Sequence, residues 1–235
     1  MQPISLVMLV YNEAGTIEKV IREYYDQVVK RIPGSEYIIA EDGSTDGTKE
    51  ILARLAKETP LRLVQGRERK GYAQAFRNAL SLPRNDIIFL SDSGGKNDPS
   101  DFWKLYERID AADMVIGVRS GRQDSWFRKI LTWGYNQIIN LYFSSDLKDI
   151  DSGFRLVKKK AVRDILGQNW VFPELISSEF TLRIRAKGFR IEEVPITYRS
   201  REGRSRGLPL KKIPAAIWRV LSKFPILKKE LWQKI

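Results

Sequence analysis

Several residue types and patterns are missing from this chain of 235 residues, and each absence narrows its chemistry. There is no cysteine, which excludes disulfide bonds and thiolate catalysis and favours a reducing compartment. There is no histidine, which removes the most frequent general base, Ser-His triads and the usual zinc ligands. Acid–base chemistry would therefore fall to carboxylates, to lysine or to the substrate itself.

Long apolar runs are missing as well. No stretch approaches the roughly 18 consecutive apolar residues that indicate a transmembrane helix. The N-terminal segment MQPISLVMLVYNEAG has neither a basic start nor a small-residue cleavage site, so it is interpreted as a first strand and not as a signal peptide.

The composition that is present is typical of a globular domain, with 43% hydrophobic and 30% charged residues. The length fits one large α/β domain with or without a short appendage. Lysine and arginine number 41 against 29 acidic residues, a net charge of +12. A surplus of this size favours a polyanionic partner, which could be nucleic acid, anionic lipid or a phosphorylated substrate.

Strand and helix patterns alternate along the first half of the chain. Strands are predicted at 4–11, 36–40, 61–64 and 86–90, and helices at 14–31, 45–57 and 70–81. Such alternation predicts right-handed βαβ units and a mostly parallel sheet, whose ligands bind beyond the carboxyl ends of the strands. The second half is less regular, with strands predicted at 114–118 and 191–198, helices at 126–143 and 177–187, a basic loop at 199–206 and a basic amphipathic segment at 208–235.

Polar motifs follow these strands in a fixed order. They are YNE at 11–13, EDGSTDGT at 41–48, RKG at 69–71 and DSGGKNDP at 92–99. As an ordered set they resemble glycosyltransferase family 2, the inverting enzymes with the GT-A fold. The resemblance implies an α/β fold of the GT-A (Rossmann-like) type, a mostly parallel sheet flanked by helices, with C-terminal amphipathic helices. The expected catalytic domain is 1–206, followed by a basic helical segment at 207–235.

The resemblance also implies a site for a nucleotide-sugar donor. Asp42 is expected to accept hydrogen bonds from the base or ribose, with Gly43 and Gly47 allowing a tight turn and Thr45 or Asp46 capping the next helix. An ordinary capped turn is the alternative for this segment. The donor-binding residues are Tyr11, Glu13, Asp42, Lys70, Asp92 and Ser93.

The loop after the fourth strand departs from the family pattern of Asp-X-Asp followed two positions later by Gln. Asp92 matches the first aspartate, but Gly94 and Lys96 replace the second aspartate and the glutamine. The family pattern implies Mg²⁺ or Mn²⁺ on the diphosphate, with Asp92 as a ligand, yet a glycine offers no oxygen and a lysine repels a cation. Asn97 and Asp98 are possible metal ligands if the loop shifts. The hypothesis here is that Lys96 replaces part of the metal's charge and binds the diphosphate directly. An inactive site is the alternative.

Motifs in the second half resemble dolichol-phosphate mannose synthases and related polyprenyl-phosphate glycosyltransferases. They are DIDSGFR at 149–155, Glu179 and EVPITYRSREGRSR at 193–206. Arg119, Arg128 and Arg201 match arginines of that branch that bind the acceptor phosphate, although lone arginines are usually solvated. The catalytic set implied is Asp92, Lys96, Arg119, Arg128, Asp149 and Arg201.

A phosphomonoester acceptor would explain the missing histidine. Its second pKa is about 6, so it is largely dianionic at neutral pH and needs no base. The protein would then position two phosphorylated partners and offset their repulsion. The expected reaction is a direct displacement at the anomeric carbon.

Two apolar stripes carry basic neighbours. One runs through Trp126, Ile130, Trp133, Ile138, Leu141 and Phe143, and the other through Ile213, Ile217, Val220, Leu221 and Phe224. Basic amphipathic helices suit an anionic membrane surface, which predicts a peripheral protein on the cytoplasmic face of a membrane. The alternatives are that the stripes pack on the core or form a dimer interface.

Three other functions compete with lipid-phosphate glycosylation. A family 2 enzyme acting on a sugar hydroxyl would need a base, for which Asp149, Asp151 or Glu179 could serve. Gly94 suggests a non-catalytic module that binds a nucleotide sugar or a lipid. A nucleic-acid partner is not expected, because no nucleic-acid motif is present and carboxylates at strand ends would repel a phosphate backbone.

Overall fold

A computed structural model describes residues 1–120, 126–199 and 213–232 of the chain. These residues form a seven-stranded sheet with the strand order β3-β2-β1-β4-β6-β5-β7. The strands are β1 (Ile4–Val10), β2 (Glu36–Glu41), β3 (Arg62–Gln65), β4 (Ile87–Asp92), β5 (Met114–Ser120), β6 (Arg155–Lys158) and β7 (Ile191–Thr197). The helices are α1 (Ile17–Gln27), α2 (Thr48–Glu58), α3 (Tyr72–Leu80), α4 (Phe102–Tyr106), α5 (Trp126–Phe143), α6 (Lys159–Leu166), α7 (Ile176–Ala186) and α8 (Ile213–Trp232).

The predicted mostly parallel sheet is confirmed. β1 pairs in parallel with β2 and β4, β2 with β3, and β5 with β7. β1 is buried almost along its whole length because helices cover both faces of the sheet. The carboxyl ends of β1, β2 and β4 therefore lie at one edge, as the strand-end motifs predict.

β6 is the exception, since it runs antiparallel to both β4 and β5. Its first residue, Arg155, consequently lies at the edge where the neighbouring strands end. β6, α4 and α6 are not among the predicted elements, because each is only four to eight residues long and carries too short a periodic pattern.

The core fills both sides of the sheet. On one face α1, α2 and α4 bury residues such as Ile21, Leu52 and Phe102. On the other face α3, α5, α6, α7 and α8 pack together through Phe76, Ile139, Val162, Phe180 and Phe224. The site is thus built on the edge of a three-layer domain.

The C-terminal helix is part of this core. Phe224, Leu227 and Leu231 of α8 are buried, and the ring of Phe224 lies 5.1 Å from that of Phe143 on α5. The boundary expected between residues 206 and 207 lies outside the described residues. No helix in the described ranges is long and apolar enough to cross a bilayer.

Candidate active site

A cleft of about 480 Å³ lies at the carboxyl edge of the sheet. Of the residues predicted from the strand-end motifs, it is lined by Tyr11, Glu13, Asp42, Asp92, Ser93 and Lys96. Gly153 and Arg155 line it as well, because the antiparallel β6 begins where β4 ends. The parallel N-terminal half and the SGFR segment of the second half therefore share one cleft.

Asp42 follows β2 and is nearly buried, with 7% of its surface exposed. Its carboxylate accepts hydrogen bonds from the backbone nitrogens of Lys70, at 2.8 Å, and Gly71, at 3.0 Å. These bonds tie the turn after β2 to the start of α3, where a negative charge is favourable. A carboxylate has about four acceptor sites, so Asp42 keeps acceptor capacity for a ligand in the cleft.

Gly43 makes this connection sterically feasible. Its φ is +70°, and a Cβ at this position would lie 2.4 Å from the backbone nitrogen of Arg69. Real Cβ atoms do not approach a backbone that closely, so a side chain here would push the two loops apart.

Arg69, and not Lys70, lines the main cleft. Its guanidinium carbon lies 4.1 Å from the centroid of the Tyr11 ring, a cation–π contact. The backbone nitrogen of Lys70 donates to Asp42, and the residue borders two smaller neighbouring clefts. Arg69 is absent from the predicted set, although it stands in the RKG motif that suggested Lys70.

The start of α2 differs from the prediction. Its N-cap residue is Gly47, with φ at +88°, and the helix begins at Thr48. Asp46 accepts hydrogen bonds from the backbone nitrogens of Ala14 and Thr48. Partial burial would raise the pKa of Asp46, but bonds from the Thr48 hydroxyl and these nitrogens lower it below the ordinary value.

Glu13 holds the neighbouring turn together. Its backbone nitrogen donates to the Thr48 hydroxyl at 2.9 Å, and its carbonyl accepts from Ile17, the first residue of α1. Its carboxylate lines the cleft and accepts from the Thr16 hydroxyl at 3.3 Å.

Asp92 ends β4 and reaches the solvent of the cleft. Its carboxylate lies against Gly153, where a Cβ would come within 2.5 Å of the Asp92 Oδ1 atom. Because Gly153 has no side chain, the Asp92 carboxylate can occupy this space. Ser93, the next residue, is buried with 7% of its surface exposed.

Lys96 belongs to a loop that pairs with the end of β7. Its carbonyl accepts from the backbone nitrogen of Arg199 at 2.6 Å, and Asn97 forms an antiparallel bridge with Tyr198. The Lys96 ammonium lies 5.9 Å from the centroid of the Tyr198 ring. Neither Tyr198 nor Arg199 is in the predicted set, because their contact with the loop spans a hundred residues of sequence.

Arg119 at the end of β5 forms a two-pronged ion pair with Asp149. Its Nε and Nη2 atoms donate to the carboxylate at 2.7 and 2.6 Å. Burial alone would lower the pKa of Arg119, but the bonds and charge of Asp149 raise it, so the guanidinium stays charged. Its guanidinium carbon lies 5.9 Å from the same Tyr198 ring that faces Lys96.

Asp149 is itself positioned from behind. Its backbone nitrogen and that of Lys148 both donate to the Glu193 Oε1 atom, at 3.1 and 2.8 Å. Asp149 of the DIDSGFR segment is therefore joined to Glu193 of the Glu-Val-Pro strand. This connection holds the carboxylate that orients Arg119.

Arg155, the arginine of SGFR, is 1% exposed. It donates to the Thr181 hydroxyl at 2.8 Å and to the carbonyls of Ser152 and Ser177. Burial lowers its pKa, and the charge of Asp151 opposes that shift. These bonds fix the SGFR turn that carries Gly153.

Glu179 is completely buried and serves the fold. It accepts from Arg183 Nε at 2.8 Å and from the backbone nitrogens of Val171 and Phe172. A carboxylate with no access to the cleft cannot take a proton from an acceptor, so Glu179 is wrong as a candidate base.

Two predicted arginines remain without a described side chain. Arg128 lies in the first turn of α5, whose backbone alone is described there. Arg201 and the RSREGRSR loop beyond residue 199 lie outside the described residues.

The residues at the Asp92 loop do not fit the metal site that the Asp-X-Asp pattern implies. Of the two Asp-X-Asp positions only Asp92 carries a carboxylate, because Gly94 has no side chain, and Lys96 brings a positive charge to the cleft. Asp98, the other acidic residue of the DSGGKNDP motif, pairs with Arg199. Across the described residues, no group of three or more acidic side chains is placed to hold an ion. Hard divalent cations require several oxygen ligands.

Comparison with known proteins decides the family. Residues 5–166 match the profile of the family described as Glycosyl transferase family 2. The chain belongs to glycosyltransferase family 2. The matched segment contains every strand-end motif of the cleft and also Arg119, Asp149 and Arg155.

Relatives by sequence include the glycosyltransferase AglD of Haloferax volcanii, 29% identical over 217 residues. That match covers 83% of this chain but only 33% of AglD, so the chain spans about a third of that relative. The undecaprenyl-phosphate mannosyltransferase of Micrococcus luteus is 28% identical over 207 residues, covering 82% of each chain.

Solved structures show the same fold. The mannosyltransferase PcManGT from Pyrobaculum calidifontis, in complex with GDP-Man and Mn²⁺, superposes with a TM-score of 0.69 at 21% identity, covering 98% of this chain and 69% of that one. Glucosyl-3-phosphoglycerate synthase from Mycobacterium tuberculosis, in complex with Mn²⁺, UDP and glucosyl-3-phosphoglycerate, gives 0.67 at 19% identity, with coverages of 95% and 80%. The GT-A fold of the family is thereby confirmed.

Proposed function

We propose that this chain transfers a glycosyl residue from a GDP- or UDP-linked donor to a polyprenyl or dolichyl phosphate, with inversion at the anomeric carbon. The observation that supports the proposal most strongly is that two cationic side chains lie beside the same aromatic ring. Lys96 of the donor loop and Arg119 of the acceptor side each lie 5.9 Å from the Tyr198 ring. Two phosphorylated substrates would thus bind side by side.

The relatives support this acceptor class. The Micrococcus relative is named for undecaprenyl phosphate. The dolichyl-phosphate beta-glucosyltransferase of Saccharomyces cerevisiae is 25% identical over 244 residues, covering 91% of this chain and 72% of that protein.

In the proposed reaction the protein neither forms a covalent bond to the sugar nor removes a proton from the acceptor. An oxygen of the acceptor phosphate attacks the anomeric carbon while the bond from that carbon to the donor diphosphate breaks. The nucleoside diphosphate leaves with the electron pair, and no proton has to be removed from the attacking dianion. Arg119, held by Asp149, would orient the acceptor phosphate and offset its charge.

A sugar hydroxyl is a weaker candidate for the acceptor. It needs a base, but Asp149 is engaged twice by Arg119 and Glu179 is buried. Asp151 is exposed to solvent and accepts a 3.3 Å bond from Ser178, so it is the carboxylate that a hydroxyl acceptor would use.

A membrane surface fits the outer faces of α5 and α8. Ile130, Trp133, Ile138 and Leu141 of α5 are exposed, as are Trp218, Leu221 and Ile226 of α8. Phe143 and Phe224 from the predicted stripes instead pack in the core. Each helix therefore has a buried apolar face and an exposed one, and an exposed face with aromatic residues is suited to a lipid interface.

Any divalent cation at this site would rest on Asp92 and on phosphate oxygens of the donor. The solved relatives hold Mn²⁺ together with their nucleotides or nucleotide sugars. In this chain Asp92 is the remaining carboxylate of the two Asp-X-Asp positions and lines the cleft beside Gly153. Such an ion would supply positive charge to the leaving diphosphate.

A transfer assay tests the proposal. Radiolabelled GDP- and UDP-sugars are incubated with a short polyprenyl phosphate, with the same polyprenol lacking phosphate, and with soluble saccharides. Label is expected to reach the polyprenyl phosphate alone. Label on a saccharide, or nucleotide binding without any transfer, would contradict it.

Variants at the acceptor side sharpen the assay. Arg119→Gln is expected to reduce transfer by about 100-fold or more, because it removes a charged ligand of the reacting phosphate. The matched control is Arg108→Gln, at an exposed arginine after α4. Arg201→Ala should reduce transfer more than donor binding, and an equal loss of both would count against its acceptor role.

A further inference from the structure

The loop after β4, residues 92–99, is called the donor loop here, and its net charge differs from that of the family pattern. Gly94 in place of aspartate removes one negative charge, and Lys96 in place of glutamine adds one positive charge. Together the two replacements make the loop more positive by two units, which equals the charge of the divalent ion that the pattern would hold. Asp92 and Lys96 alone are electrically neutral as a pair, so a diphosphate meets no excess of carboxylate.

The backbone around Lys96 is also held in place by hydrogen bonds. The carbonyl of Lys96 and the nitrogen of Arg199 are 2.6 Å apart, and Asn97 bridges Tyr198. Arg199 in turn donates to Asp98 at 2.8 Å and to Glu23 of α1 at 3.0 Å. The backbone on both sides of Lys96 is thus fixed to β7 and to α1, which limits where its side chain can reach.

The ammonium of Lys96 is available for a ligand. It lines the cleft and faces the Tyr198 ring, and within the described ranges no carboxylate lies at ion-pair distance from it. With no carboxylate of the described residues at ion-pair distance, a lysine ammonium has hydrogen-bond donors to offer an anion. Lysine binds phosphate as a compact point charge and needs no planar geometry.

We infer that Lys96 binds the donor diphosphate directly and that nucleotide binding to this chain requires no divalent cation. The inference rests on the proposed function, because it assigns the donor's diphosphate to this cleft. The ring of Tyr198 and its backbone bridge to Asn97 both contact the Lys96 loop.

The first test measures binding of UDP and of GDP to the full chain by titration calorimetry. Each nucleotide is titrated in excess EDTA, and again with Mg²⁺ and with Mn²⁺. The dissociation constant of the nucleotide that binds is expected to differ by less than about threefold among the three conditions. A loss of binding in EDTA that either ion restores would overturn the inference.

Substitutions of Lys96 form the second test. In EDTA, Lys96→Gln is expected to weaken binding by about 10- to 100-fold, the range for one lost charge-assisted hydrogen bond. Lys96→Arg should keep most of the affinity, because it keeps the charge. The matched control is Lys57→Gln on the exposed end of α2, which should bind like the wild type. Equal binding by Lys96→Gln and the control would overturn the inference.

The third test reverses the two replacements. The double variant Gly94→Asp, Lys96→Gln restores the carboxylate pair and removes the ammonium. Gly94 does not have a positive φ, so its backbone accepts an aspartate. This variant should bind the nucleotide at least about tenfold more tightly with Mn²⁺ than in EDTA, as a site with several oxygen ligands would. Wild-type affinity of the double variant in EDTA would overturn the inference.

The calorimetry separates this inference from the proposed function. If neither nucleotide binds under any condition, the donor site itself is wrong and the proposed function fails with it. If a nucleotide binds only with a metal ion, Lys96 does not replace the ion, but glycosyl transfer stands.

Discussion

At the scale of single residues, the candidate site depends on small side chains as much as on charged ones. Gly43 allows the turn after β2 to approach the backbone of Arg69, and Gly153 makes room for the carboxylate of Asp92. Charged residues are readily recognised in a sequence as candidate ligands. The glycines that let them take their positions become visible only when the atoms around a missing Cβ are known.

Gly153→Ala tests that role. The added methyl would lie 2.5 Å from Asp92 Oδ1, so the carboxylate must move away from the cleft position it now holds. We expect glycosyl transfer to fall by about 100-fold, as for other displacements of about 1 Å at a reacting centre. The thermal midpoint should change little, because Asp92 can turn toward solvent.

The control is Gly167→Ala at the end of α6, where no atom lies within 4 Å of the added carbon. It should retain wild-type transfer and a similar thermal midpoint. Wild-type transfer by Gly153→Ala would show that the position of Asp92 against Gly153 is not needed.

At the scale of elements, α7 illustrates how a motif residue can belong to the fold. Glu179 and Arg183 are both fully buried and pair across one helical turn at 2.6 Å. The remaining carboxylate bonds reach back to Val171 and Phe172, which fixes the segment before α7. A buried pair of this kind holds an element in place through its complete set of hydrogen bonds.

Glu179→Gln is therefore expected to act on stability. Removing the carboxylate charge leaves the Arg183 guanidinium buried without its counter-charge, which should lower the free energy of unfolding by about 3 kcal/mol. Urea unfolding measures this loss, and the transfer rate per folded molecule should remain near that of the wild type. Glu174→Gln, at a carboxylate with 42% side-chain exposure, is the control and should unfold near the wild-type midpoint. Unchanged stability with lost transfer would indicate a catalytic Glu179.

At the scale of the whole molecule, the proposed membrane contact depends on the net charge and on the exposed apolar surface. The net charge is +12, and the outer faces of α5 and α8 expose large apolar side chains such as Trp133, Leu141 and Trp218. Electrostatic attraction would bring the protein to an anionic bilayer, and the apolar faces would enter its interface.

Cosedimentation with phospholipid vesicles tests this docking. Binding is expected to be stronger to anionic than to neutral vesicles and to weaken as salt is added, because salt screens exposed charges. Leu141→Ser and Trp133→Ser should each reduce partitioning by about tenfold, the effect of losing one buried apolar side chain. Val64→Ser, at an exposed position on β3, is the control. Equal binding by all three variants would contradict docking through α5.

The sequence by itself determined which strand-end motifs share the cleft. Parallel strands joined by helices end at one edge of a sheet, so polar motifs that directly follow strands must meet there. No knowledge of distant contacts was needed to place Tyr11, Glu13, Asp42 and Asp92 in one cleft. The matching family profile covers the same stretch of chain.

Only the tertiary structure decided which residues from distant parts of the chain lie beside the strand-end residues. The antiparallel β6 brings Gly153 against Asp92, and the end of β7 brings Tyr198 near both Lys96 and Arg119. These contacts join residues that lie from about 60 to more than 100 positions apart, beyond the reach of any local periodicity. Short elements such as β6 form because the packed sheet holds them and not because their own sequence favours them, so their position follows from the assembled fold.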